Sequence, residues 1–245
     1  MCTVTFIPTK EGFFLTSSRD ERMDRRTVPP LSYMHDGEKL IYPKDELSGG
    51  TWIAVSPMGR AACLLNGAFI NHDKLKGYTK SRGLVLLESF KYKSTPEFIV
   101  STDFNNIEPF TLLTLDYESG KLSAFYEFRW DGKQKHIKQL NISEEKIWSS
   151  ATLYSPEVQK MRNKLFENWL ESNKLTEDKL MMNFHNRKHG LNPAEDILMT
   201  TEKELKTVSI SQIALEKGDC HFKYFDVDLN KEYITQLNSL ENEKA

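Results

Sequence analysis

Three cysteines in 245 residues, Cys2, Cys63 and Cys220, are too few and too irregularly spaced for a disulfide framework. Such sparse usage points to a reducing compartment, with the cytoplasm as the default location. No apolar run approaches the ~20 residues of a membrane span. The N-terminus lacks the basic-then-apolar pattern of a signal peptide. Charge of one sign is missing too: 33 Lys+Arg stand against 35 Asp+Glu, a net charge of −2. That balance removes the global basic signal of a nucleic-acid binder or an anionic-membrane binder. There is no internal repeat, low-complexity tract or interdomain linker, so a single domain over residues 1–245 is expected. What remains is ordinary for a globular chain, 39% hydrophobic and 28% charged, and long enough to bury a large core.

The segments divide by periodicity and turn residues. Cys2–Pro8 and Phe13–Ser17 read as a hairpin closed by Lys10-Glu11-Gly12. Residues 19–48 are charged and carry Pro29, Pro30 and Pro43, which predicts a long loop. Thr51–Val55 and Ala61–Leu65 form a second hairpin through Pro57-Met58-Gly59; their nearly continuous apolar runs suit a sheet covered on both faces. Helices are predicted over Ser81–Phe90 and Pro96–Asp103, then a hairpin of Phe110–Tyr117 and Lys121–Trp130 and a short strand at His136–Ile142. Ser155–Ser172 is the clearest amphipathic helix, with Ser155 as cap and Val158, Met161, Leu165 and Trp169 on one face. A helix over Thr176–Asn186 and strands at Thr207–Leu215 and Cys220–Val227 follow, and the tail from Leu229 is expected to fray. Hairpins alternating with helix pairs suit an α+β fold, two antiparallel sheets sandwiched by helices.

Several candidate sites reduce to structure. His185 and His189 have the i, i+4 spacing of a helical metal pair, but no Glu follows the first His as a metalloprotease needs. A helix C-terminus and exposure account for both, so no metal and no cofactor is expected. His35 and His72 read as surface histidines in loops near the cleft. Cys63 and Cys220 read as core. The clusters Arg22/Arg25/Arg26 and Lys133/Lys135/Lys138 read as solvated surface.

Cys2 is different. Removal of Met1 would leave one residue carrying both a thiol and a free α-amine, with reference pKa values of about 8.5 and about 7.7–8.0. A base poised near neutrality beside a strong nucleophile is what acyl transfer needs. The hairpin returns Ser18-Arg19-Asp20-Glu21 beside it; an arginine there favours thiolate, and a carboxylate can hold the arginine or the α-ammonium. Gly50, preceding Thr51 and Trp52, permits close backbone approach at a strand start. Asn66 ends its strand with a side-chain amide suited to donate to a developing oxyanion.

Met1-Cys2-Thr3, Ser18-Arg19-Asp20-Glu21, Gly49-Gly50-Thr51-Trp52-Ile53-Ala54-Val55, Gly59-Arg60-Ala61-Ala62 and Asn66 together resemble the NRDE family. The resemblance continues more weakly through Ser81-Arg82-Gly83, Trp148–Pro156 and Thr207–Leu215. It implies the N-terminal nucleophile hydrolase fold, an αββα four-layer sandwich. The opening is also similar to the choloylglycine hydrolases, which cleave amide bonds with a mature N-terminal cysteine. That likeness implies Cys2, Arg19, Asp20 and Asn66 as catalytic residues, Asp20 with a shift in spacing. Ser18, Glu21, Gly50, Thr51, Trp52 and Ser150 would line the substrate site. Ser18 stands where the family usually has Asn, Ser150 near the second asparagine of those hydrolases, and Ser209 near their late arginine. Two functions follow: hydrolysis of a non-peptide amide in a small acylated molecule, or binding and trafficking of a hydrophobic ligand (haem, lipid or acyl-CoA) in the same cleft.

Overall fold

Thirteen strands and four α-helices make up the described part of the chain. The structure, a computed structural model, describes residues 3–75, 77–173, 179–201 and 205–237. The first hairpin forms as its turn residues predict: β1 (Thr3–Thr9) pairs with β2 (Gly12–Arg22), Thr3 opposite Ser18. β2 runs on to Arg22, and the predicted loop after it is instead another hairpin, β3 (Thr27–His35) and β4 (Glu38–Asp45). Pro29 and Pro30 coincide with a register shift between Val28 and Leu31. β3 is an edge strand, where proline's missing N–H costs no ladder bond, so the prolines that argued for a loop are tolerated.

β5 (Ile53–Ser56), β6 (Arg60–Asn66), β7 (Phe110–Glu118), β8 (Lys121–Trp130) and β9 (Lys135–Gln139) complete a seven-stranded sheet in the order β3-β4-β5-β6-β7-β8-β9. The other sheet runs β10-β1-β2-β11-β12-β13, with β10 at Lys146–Ser149, β11 at Leu205–Glu216, β12 at Asp219–Asp226 and β13 at Lys231–Leu237. β10 had no strand signal of its own; it is four residues long and exists by pairing with β1. β13 overturns the expected fraying over its span, because Tyr224 pairs with Tyr233 and Cys220 with Leu237.

Alternation along the strands creates the layers. Val4, Phe6, Phe13, Leu15, Ile53, Val55, Cys63 and Leu113 meet between the two sheets with Ile213 and Phe222. The intervening Ala54, Ala62, Leu64 and Leu112 face α1 (Arg82–Glu88) and α2 (Thr95–Ser101), against Val85, Leu86 and Phe98. On the opposite outer face, Ile7, Phe14 and Ala214 pack on Phe166, Met181 and Phe184 of α3 (Pro156–Ser172) and α4 (Lys179–His185). The result is four layers, αββα. Strand residues near the middle have apolar neighbours on one side or the other, which is why β5 and β6 read as unbroken apolar runs.

Ser81, Ser94 and Ser155 cap α1, α2 and α3, accepting from the N–H groups of Leu84, Glu97 and Val158. The buried stripe of α3 is Val158, Arg162 and Phe166, whereas Met161 is exposed. The buried face is rotated from the expected one because an arginine occupies its centre. Arg162 is fully buried, with Nη1 donating to Thr3 Oγ1 at 2.7 Å and Nε to the Glu195 carbonyl at 2.8 Å. Its guanidinium lies 3.5 Å from the Tyr154 ring centroid. The expected cap Thr176 lies outside the described residues.

Candidate active site

Alternation along β2 also selects which side chains enter the space between the sheets. Phe13 and Leu15 point there, and Arg19 and Glu21 continue in phase at the strand's end. They line one cavity of about 230 Å³ together with Gly50, Thr51, Trp52 and Asn66. Six residues expected from the sequence therefore converge, drawn from β2, the segment that leads into β5 and the end of β6.

Arg19 is held firmly. Its Nη2 donates to Asp45 Oδ2 at 2.6 Å, and its guanidinium sits 4.8 Å from the Trp52 ring centroid. Arg25 Nε donates to the same Asp45 oxygen at 2.7 Å, while Arg25 Nη1 lies 3.3 Å from Glu21 Oε2. The Ser48 N–H donates to Asp45 Oδ1 at 2.8 Å. Burial pushes the Asp45 carboxyl up, but the Ser48 N–H, Arg25 and Arg19 outweigh it and hold the group below its ordinary 3.8. Arg25 thus belongs to the cavity wall and not to a solvated cluster; Arg22, beside it in sequence, is the exposed one and pairs with Asp24.

The facing wall comes from α1. A Cβ at Gly50 would lie 2.7 Å from the Gly83 carbonyl carbon, and one at Gly83 would lie 2.7 Å from the Thr51 oxygen. Two glycines are needed for the helix start to touch the strand start. This contact carries Arg82 to the cavity, where its Nη2 lies 3.2 Å from Glu108 Oε2 and its Nη1 donates to the Pro109 carbonyl. Burial draws the Arg82 guanidinium down from its ordinary value, with Glu108 opposing. His72 is no free surface group: Nε2 lies 3.4 Å from Glu108 Oε1. His35, by contrast, ends β3 and does not line this cavity.

The remaining expected residues lie elsewhere. Asp20 faces the α3/α4 layer, accepting from Tyr154 Oη at 2.9 Å and Thr207 Oγ1 at 2.6 Å. Glu21, one residue on, is the carboxylate that shares the cavity with Arg19, a choice that strand alternation alone could have made. Ser18 also faces outward, its Oγ 2.7 Å from His185 Nδ1. His185 is fully buried, with Nε2 2.8 Å from Thr5 Oγ1, which corrects its reading as an exposed helix-end residue. Burial, with the Arg162 charge, pushes its pKa down to about 3, so the ring is neutral. Ser150 is buried, and its Oγ donates to the Asn66 carbonyl at 2.9 Å. It braces Asn66 without lining the cavity. Thr51 uses its hydroxyl on the Pro43 carbonyl at 2.6 Å. Ser209 pairs with Arg19 across β11 and β2. Cys2 lies outside the described residues; Thr3, to which it is bonded, pairs with Ser18 and with Ser149.

Asp45, Arg82 and Glu108 are cavity residues that no sequence reading assigned to the site, and Arg25 is one that reads there as solvated surface. Arg82 sat inside the Ser81-Arg82-Gly83 run; the others had no signal, because long-range pairing brings them in. Among the described residues, no cluster of His, Cys, Asp or Glu could hold a metal ion, and no helix is long and apolar enough to cross a membrane.

Two antiparallel sheets between helical layers, with a cavity of charged residues at the end of β2, define the N-terminal nucleophile hydrolase fold. The fold is similar to a cysteine-to-alanine variant of the conjugated bile acid hydrolase from Clostridium perfringens. That match has a TM-score of 0.60 and 12% identity, covering 97% of this chain and 93% of that one. Penicillin V acylase from Agrobacterium tumefaciens is similar as well, with a TM-score of 0.52 and 11% identity over 100% of this chain and 89% of that one. At such identities the likeness is one of fold. The chain belongs to the Transport and Golgi organisation 2 family, whose sequence profile matches residues 1–240. No curated protein sequence matches it.

Proposed function

We propose that this protein is an N-terminal cysteine hydrolase that cleaves the amide C–N bond of a small acylated molecule. The observation that carries the reading is the convergence of Arg19, Glu21 and Asn66 on one cavity, at the end of the strand that pairs with the chain's first strand. In this mechanism the Cys2 α-amine accepts the thiol proton and the thiolate attacks the substrate carbonyl carbon. The tetrahedral oxyanion takes a hydrogen bond from the Asn66 side chain and one from a backbone N–H. Collapse breaks the C–N bond; the amine leaves with the proton held on the α-ammonium, and water then hydrolyses the thioester. Arg19, fixed by Asp45 and Trp52, supplies positive charge that favours thiolate.

Binding of haem, a lipid or acyl-CoA as the cavity's sole task is supported less well. Among the described residues, Trp52 and Leu64 are its only large apolar lining side chains, and about 230 Å³ is below the ~300–1,000 Å³ of ligand pockets. The test begins with the intact mass of the purified protein. If Met1 is retained, the Cys2 nitrogen is an amide and the mechanism fails. Incubation with N-acyl amino acids and lactams should then add an acyl mass to Cys2, and Cys2→Ala should abolish both adduct and turnover. A Cys2→Ala protein with undiminished turnover refutes the assignment.

A further inference from the structure

A second cavity, of about 320 Å³, begins three residues beyond Asn66 in the chain, at Phe69. Its wall is the chain that leaves β6, including Phe69 and Ile70, and the turn after β10, including Ala151, Leu153, Tyr154 and Pro156. The two segments touch at Gly67, whose φ is +80°; a Cβ there would lie 2.9 Å from Thr152 Cγ2 and 3.2 Å from Ala151 Cβ. The Ser150 hydroxyl ties them again through the Asn66 carbonyl. Asn66 lines the first cavity, and the chain that follows it lines a space of opposite character. The cavity described above is walled by Arg19, Glu21, Arg25, Asp45, Arg82 and Glu108, whereas among the described residues no charged side chain lines the second.

Three apolar side chains of the second space are open to solvent, above the buried Ala151 and Tyr154: Phe69 is 50% exposed, Ile70 75% and Leu153 37%. Phe69 is nonetheless held in place. The Arg129 guanidinium lies 5.0 Å from its ring centroid, the His136 ring stands edge-on at 5.0 Å, and Arg129 is itself tied to Glu127 and to the Ala68 carbonyl. An exposed aromatic that is fixed in advance presents apolar surface at little entropic cost, as a binding wall does.

We propose that this second cavity is the acyl-side subsite, resting on the hydrolase reading above. The substrate is then an N-acyl derivative of a small polar or charged amine. Its apolar acyl chain lies against Phe69, Ile70 and Leu153, its amide carbonyl sits at Asn66, and its amine half enters the charged cavity.

The experiment uses full-length Cys2→Ala protein, which cannot turn over, and measures calorimetric affinity for N-acetyl-, N-hexanoyl- and N-decanoylglycine. Affinity should rise by about fourfold per methylene over the first methylenes buried. Ile70→Asp, at an exposed position that leaves the fold intact, should weaken the decanoyl compound about tenfold and the acetyl compound hardly at all. Leu153→Asp should behave alike. Affinity independent of chain length, or a decanoyl affinity unchanged by both variants, overturns the subsite. Chain-length-dependent binding sensitive to Ile70, with a wild-type protein that never forms an acyl adduct on Cys2, upholds the subsite and overturns the hydrolase reading instead. Adduct formation at equal rates for all three chains overturns the subsite and upholds the hydrolase.

Discussion

Replacing Asp45 by asparagine changes one charge and almost no volume, at the carboxylate on which Arg19 and Arg25 converge. In the native protein that carboxylate accepts from Arg19 Nη2 at 2.6 Å, from Arg25 Nε at 2.7 Å and from the Ser48 N–H at 2.8 Å. The Asp45 and Arg19 side chains are 7% and 3% exposed, so water compensates little. Removing one partner of a buried pair costs about 3–5 kcal/mol, because the other charge is left uncompensated. The amide of Asp45→Asn keeps one acceptor oxygen and Arg25 is a third exposed, so the lower end, about 3 kcal/mol, is expected. For a chain of this length that corresponds to a fall in Tm of roughly 6–12 °C. The effect should depend on pH. The folded-state pKa of Asp45 lies below the unfolded 3.8, so its stabilisation is complete above about pH 5 and is lost as pH falls through the folded value. The variant's deficit should therefore be full at pH 7 and shrink below about pH 4. Urea unfolding followed by tryptophan fluorescence at both pH values measures it. A deficit under about 1 kcal/mol at pH 7, or one that does not narrow in acid, would refute the claim that this carboxylate anchors the site.

Gly83→Ala forces its Cβ to 2.7 Å from the Thr51 carbonyl oxygen, and neither backbone can give way cheaply; a loss of about 1–3 kcal/mol in urea stability is expected. Arg162→Met leaves Thr3 Oγ1 and the Glu195 and Asp196 carbonyls without their donor, and should cost about 2–4 kcal/mol while raising amide exchange in β1 and β10. Asn66→Ala should lower turnover by about 10²–10³-fold with little change in stability, as a kcat measurement beside a melting curve would reveal. Burial pushes the Cys63 and Cys220 thiols up to about 12, so iodoacetamide at about pH 8 should alkylate the native protein at Cys2 alone; a second modified cysteine seen by peptide mass spectrometry would contradict their burial.

Local chemistry carried much of the fold into the sequence. Turns at Lys10–Gly12, Pro57–Gly59 and Glu118–Gly120 close hairpins where their residues say they should, and Ser81, Ser94 and Ser155 cap helices that start beside them. These features act within about four residues, so no distant partner can veto them. The candidate site was legible in part: of the residues the sequence and its family resemblance pointed to, Arg19, Glu21, Gly50, Thr51, Trp52 and Asn66 share a cavity, whereas Ser18, Asp20 and Ser150 do not line it.

Tertiary structure decided what depended on a partner elsewhere in the chain. The proline-bearing β3 is a strand because it lies at an edge, and β10 and β13 exist because β1 and β12 offer them a ladder. Arg162 and His185 are buried because hydroxyls and carbonyls on other elements satisfy them, which hydropathy cannot foresee. Asp45 became the anchor of Arg19 in the same way, across 26 residues of chain. The sequence by itself therefore determined the local turns, the caps and the strand ends that meet at the cavity. Which buried charges are tolerated was settled only by packing, because burial is a property of the assembled layers and not of any residue alone.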